Sequence, residues 1–97
     1  MKDYGVIAKS VAQLVVEKQE AYGDSFGRSG KVMEILYPNG IPVDKYDDAL
    51  AVIRVIDKLF RVATDESAFG ENPWRDIMGY ALLSVASRKN GECEENE

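Results

Sequence analysis

Histidine is absent from this 97-residue chain, and cysteine appears once, at Cys93. These shortages remove histidine-based acid–base catalysis and any zinc centre built on thiolates or imidazoles, leaving oxygen ligands as the means of holding a metal. A lone cysteine also excludes an internal disulfide. No apolar run approaches the ~20 residues of a membrane span, and the amino terminus, Met-Lys-Asp-Tyr-Gly, lacks the apolar core of a signal peptide. The expected location is the cytoplasm, with no membrane partner. Basic excess is missing too: the net charge is −5. Glu92, Glu94, Glu95 and Glu97 carry −4 of it, which leaves the rest of the chain near neutral at −1. Without that excess the chain has little to neutralise phosphates along a groove, so duplex nucleic acid is not an expected partner.

What is present is ordinary for a globular protein: hydrophobic residues make up 45% and charged residues 30%. A chain of this length builds one core. The boundaries expected are a helical domain over residues 1–89 and a disordered acidic tail over 90–97, where glycine and glutamates leave nothing to pack.

The longest helical pattern runs from Asp44, read as its cap, to Thr64. At about 100° per residue, Tyr46, Ala49, Ile53, Ile56, Phe60 and Ala63 share a stripe that Leu50, Val52 and Leu59 widen. Asp57 projects inside the edge of this apolar sector, with Arg54, Lys58 and Arg61 along the adjacent rim. A carboxylate in that position calls for a partner.

The other segments also read as helices. From Asp3 to Tyr22, a face of Tyr4, Ile7, Val11, Leu14 and Val15 ends at Gly23, which suits a left-handed terminating residue. Lys18 lies on that apolar face, either snorkelling to water or serving a site. Asp24 to Gly27 reads as a loop and Arg28 to Tyr37 as a short helix stopped by Pro38, with a turn at Asn39-Gly40. Asn72-Pro73 marks the start of a last helix that runs to about Arg88. Its expected core face is Trp74, Ile77, Met78, Ala81, Leu82 and Val85, and a polar line of Asp76, Tyr80, Ser84 and Ser87 runs through it. Four helices and no confident strand give an all-α, four-helix bundle-like single domain, completed by homo-oligomerisation because one long helix is apolar over a broad arc.

The anomalous side chains form a coherent set. Carboxylates at Asp57 and Asp76 are candidate catalytic and magnesium-binding groups, since magnesium takes a few carboxylates together with phosphate and water oxygens. Lys18, Lys58 and Arg61 are candidate phosphate contacts. Tyr22, Phe26 and Trp74 are candidate stacking platforms for a base, and Tyr80 accompanies Asp76. The Tyr22-Gly23-Asp24-Ser25-Phe26 loop is placed to fold over the groove. A structural reading stands beside each of these: Asp57 and Arg61 are spaced as an i, i+4 pair, Asp76 suits a helix start, and Lys18 and Asp57 could neutralise one another.

Glu17-Lys18, Ala21 to Phe26, Val55 to Arg61 and Pro73 to Leu83 together resemble a pattern in small phage and bacterial nucleotide-modification-associated domains. Those domains are distantly similar to the all-α, MazG-like nucleoside triphosphate pyrophosphatases. The resemblance implies an oligomeric helical protein that binds a small-molecule nucleotide, in the host cytoplasm if phage-encoded. In catalytic members, acidic side chains hold magnesium and water cleaves between the α- and β-phosphates. Here Glu17-x-x-Glu20 falls on the polar side away from Lys18, and no Glu-x-x-Asp follows on the later helices. Three readings stay open: a magnesium-dependent pyrophosphohydrolase, a non-catalytic protein that sequesters a nucleotide or nucleotide-derived signal, and a helical oligomerisation or regulatory module without a small ligand.

Overall fold

The computed structural model describes residues 3–88; the acidic tail and Cys93 lie outside the described residues. Four helices account for most of them: α1 (Tyr4–Ala21), α2 (Ser25–Leu36), α3 (Tyr46–Thr64) and α4 (Pro73–Ser87). Short 3-10 turns at Val43–Lys45 and Ala68–Gly70 precede α3 and α4. Among the described residues there is no strand, and no helix is long and apolar enough to cross a membrane.

Local chemistry sets most of the helix ends. Asp3 caps α1 by accepting from the Val6 N–H at 3.2 Å, and Asn72 caps α4 by accepting from the Arg75 N–H at 3.2 Å, ahead of the buried Pro73. Asp24 caps α2 through the Gly27 N–H at 3.2 Å while itself in the left-handed region, which aspartate tolerates better than most residues. This cap starts α2 at Ser25, three residues earlier than the sequence pattern suggests. At α3 the expected cap is corrected: Asp44 lies inside the preceding 3-10 turn, and Lys45 holds the cap position without a side-chain bond.

Helices α3 and α4 form an antiparallel hairpin whose register is marked by three polar pairs. Asp48 meets Arg88, Arg54 stacks over Tyr80, and Lys58 meets Asp76. Residue numbers rise along one helix as they fall along the other. Across α3 lies α2, its first residue Ser25 against Asp57 and its end, Leu36 and Tyr37, beside Val52 and Val55.

The expected core face is turned outward on α4 and left unburied on α1. On α4 the polar line Asp76, Tyr80 and Ser84 turns inward, whereas Met78, Leu82 and Val85 are 65–71% exposed and Trp74 is 53% exposed. On α1 no residue is buried, so the helix does not join a closed four-helix bundle within one chain. The buried apolar side chains on α3 reduce to Ala49 and Ile56. Burial has gone instead to a charge, since Arg61 is 0% exposed.

The turn between α1 and α2 docks on the end of α3. Gly23 has φ +65°, and a Cβ there would stand 2.4 Å from Thr64 Oγ1. Both the left-handed backbone and the close approach therefore require glycine. Gly23→Ala is expected to destabilise the fold by about 1–2 kcal/mol in urea denaturation. A Thr64→Ala background should recover the steric part only; a cost below about 0.5 kcal/mol in both backgrounds would contradict the tight turn.

Candidate functional site

Two polar clusters flank the Gly23 turn. The first is an open cleft of about 440 Å³ where the start of α2 meets α3 and α4, bounded by Ser25, Phe26, Arg54, Asp57, Lys58 and Tyr80 with Ser29 and Ile53. That volume lies in the range of about 300–1,000 Å³ common to small-molecule sites. Its fixed centre is Asp57, which accepts a 2.5 Å hydrogen bond from the buried Ser25 hydroxyl. Ser29 donates at 2.6 Å to the Ser25 carbonyl, so both serines are held by the first turn of α2. Lys58 Nζ stands 3.4 Å from Asp76 Oδ2, the lysine side chain only 18% exposed and the aspartate 42%. Arg54 lies with its guanidinium carbon 5.7 Å from the Tyr80 ring centroid, within cation–π range. At the rim, the Phe26 ring is 92% exposed.

The second cluster centres on Arg61. Its guanidinium lies 5.0 Å from the Tyr22 ring centroid, and Nη2 donates to the carbonyls of Ala68 at 3.1 Å and Glu66 at 3.4 Å. Nη1 is 3.0 Å from Glu71 Oε1, an ion pair by distance whose alignment falls short of a hydrogen bond, and Nε has no partner among the described residues. The same Glu71 oxygen accepts from the Tyr22 hydroxyl at 3.1 Å. Lys18 completes the group: its ammonium is 5.0 Å from the Phe69 centroid, 5.5 Å from that of Tyr22 and 3.5 Å from the Tyr22 hydroxyl. Phe69 packs edge-on against Tyr22 and holds φ +60°, an uncommon backbone state for an aromatic residue.

The candidate residues thus divide. Phe26, Asp57, Lys58 and Tyr80 line the cleft, and Asp76 joins it through Lys58. Lys18, Tyr22 and Arg61 belong to the second cluster, with Gly23 and Asp24 forming the turn between. Trp74, expected at a base, borders neither cluster and stands half exposed on α4. Arg61, expected at a phosphate, is wholly buried and takes Glu71 and the Glu66 and Ala68 carbonyls. Neither structural pairing considered from spacing is formed: Asp57 takes Ser25 rather than Lys18 or Arg61, and Arg61 takes Glu71.

Three contributors were not singled out by sequence reasoning. Ser25 reads as loop until Asp24 is recognised as a left-handed cap, a signal present in the Gly23-Asp24 pair. Glu71 and Phe69 gave no periodic signal, since they lie in a connection.

The magnesium centre that the resemblance implies would draw on Asp57 and Asp76. No three carboxylates converge among the described residues. Asp57 is engaged by a hydroxyl and Asp76 by an ammonium. Among the described residues the two candidate carboxylates are thus already engaged, and the pair fits a divalent cation poorly.

Because Arg61 is wholly buried and its carboxylate partner is not, removing that partner leaves a guanidinium without its counter-charge. Glu71→Ala is expected to cost about 1–3 kcal/mol in chemical denaturation, a figure kept low by the partial exposure of Glu71. An unchanged midpoint would show that the carbonyls and the Tyr22 ring satisfy Arg61 alone.

No protein-family model, curated protein or solved structure is significantly similar to this chain.

Proposed function

We propose that this chain is a nucleotide-binding protein, acting as a homo-oligomer, that captures its ligand in the cleft between α2, α3 and α4 without hydrolysing it. One observation carries the reading: two cations, Arg54 and Lys58, and two aromatic rings, Phe26 and Tyr80, border a single opening around the fixed Ser25–Asp57 pair. A nucleotide combines an aromatic plate with an anionic chain and hydroxyl or amine donors. Each part has a counterpart here.

The rings offer faces for stacking, and the guanidinium and ammonium offer charge-assisted bonds to phosphate. Asp57, an acceptor fixed in orientation by Ser25, suits a ribose hydroxyl or an exocyclic amine. Capture is favoured over hydrolysis because Asp76 is committed to Lys58 and no carboxylate cluster forms among the described residues. On this reading Asp76 holds Lys58 in place of a phosphate in the empty cleft and yields it on binding.

A thermal-shift panel of mono-, di- and triphosphate and cyclic nucleotides, with and without magnesium, tests the proposal. A ligand at 100 times its Kd should add about 2.7 kcal/mol, roughly 10–20 °C in a domain this small. Silence across the panel would reject nucleotide binding and leave a module without a small ligand. Lys58→Ala should weaken affinity about tenfold, the loss of one charge-assisted contact.

Asp76→Asn separates capture from catalysis. Capture predicts unchanged or tighter binding, since the substitution frees Lys58. Magnesium-dependent pyrophosphate release by the wild type, abolished in Asp76→Asn, would replace capture with hydrolysis.

A further inference from the structure

Asp57 lines the cleft as a carboxylate without a cation. Arg54 and Lys58 are its neighbours on α3, yet Arg54 lies over the Tyr80 ring and Lys58 turns to Asp76, and no ion pair reaches Asp57 among the described residues. Its hydrogen-bond partner there is the Ser25 hydroxyl, which donates to Oδ1 at 2.5 Å. A carboxylate can accept about four hydrogen bonds. The Ser25 bond therefore restrains the group and leaves most of its acceptor capacity, including all of Oδ2, to whatever enters the cleft.

The same serine ties this carboxylate to a ring. Phe26 follows Ser25 in the first turn of α2, lines the same cleft and is almost wholly exposed. The other ring, Tyr80, already carries the Arg54 guanidinium over one face. Phe26 is thus the open platform for a base. A base lying on it is one residue from the serine that holds Asp57, which brings the hydrogen-bonding edge of the base, rather than the ribose, to the carboxylate.

A carboxylate only accepts, so it tells bases apart by the donors they present. Guanine offers two side by side, the ring N1–H and the 2-amino group, spaced like the two oxygens of a carboxylate. Adenine and cytosine each offer an amine next to a ring nitrogen whose lone pair would face the carboxylate. Uracil and thymine offer one ring N–H between two carbonyls.

We propose that the cleft selects guanine nucleotides, with Asp57 accepting from N1–H and the 2-amino group of a base stacked on Phe26, and with Ser25 as the positioning residue. The proposal rests on the nucleotide reading and adds the base to it. Lys58 and the N–H groups of Arg54 are left for the phosphates. Because the Ser25 hydroxyl donates at Oδ1, an asparagine at position 57 keeps its oxygen there and turns its amide nitrogen to the ligand. That donor opposes the 2-amino group of guanine and matches the 2-carbonyl of xanthine.

Isothermal titration calorimetry on the full chain, comparing guanosine, inosine and adenosine nucleotides as mono- and triphosphates with magnesium, is the test. Inosine differs from guanosine only by lacking the 2-amino group. Its nucleotides are expected to bind about 10–100-fold more weakly, the loss of one hydrogen bond to a charged acceptor, and those of adenosine at least as weakly. Asp57→Asn should weaken guanosine nucleotides by a similar factor and bind xanthosine nucleotides more tightly than the wild type does. Should that variant lose its helical circular dichroism, the inosine comparison decides alone, since it alters the ligand and not the chain.

Equal affinities for the three bases would overturn guanine selection and leave nucleotide capture standing. Inosine bound as tightly as guanosine would overturn the 2-amino contact, and a folded Asp57→Asn that keeps the guanosine preference would overturn the role of Asp57. Silence of every nucleotide rejects capture itself, and guanine selection with it.

Discussion

The buried guanidinium of Arg61 is the contact on which the described structure turns. It sits near the end of α3, and through Glu71, the Glu66 and Ala68 carbonyls and the Tyr22 ring it gathers the connection to α4 and the end of α1 about one charge. Taking a guanidinium out of water is expensive, and the cost is offset only where its donors and its charge are met. That requirement holds the connection in place with little apolar packing. The start of α4 itself is set by the Asn72 cap and Pro73, and its register on α3 is marked by the three cross-helix pairs.

That register explains why the polar side of α4 faces inward. With Asp48 at Arg88, Arg54 at Tyr80 and Lys58 at Asp76, the contact between α3 and α4 is a ladder of charged and aromatic pairs rather than a leucine seam. Partly buried pairs of this kind contribute modestly to stability. They do concentrate cations and hydroxyls beside an opening, which is a property of ligand sites rather than of cores. The apolar residues displaced from the hairpin, Met78, Leu82 and Val85, line the outside instead.

The two features are linked by surface. A chain that spends its interior on Arg61 and polar pairs has few apolar contacts of its own, and exposed stripes on α1 and α4 remain. Exposed apolar side chains gathered in stripes differ from the singly scattered ones ordinary on monomer surfaces. Phe26 borders both the cleft and the apolar groove beside α1.

By itself the sequence determined the all-helical class, the four α-helices, the left-handed Gly23 and the Asn72-Pro73 start, because caps, breakers and a 3.6-residue period act over a few neighbouring residues. It also marked Asp57, Lys58 and Asp76 as polar groups out of place on apolar helices, and Lys58 does meet Asp76. Which side of α4 faced inward, and whether Arg61 met a phosphate or Glu71, only the tertiary structure decided. Both stripes of α4 are regular at helical spacing, so periodicity reports that a helix has two faces without saying which one the partner helix takes. The partner of Arg61 is ten residues away in a connection with no period at all, where only the folded path of the chain brings charge to charge.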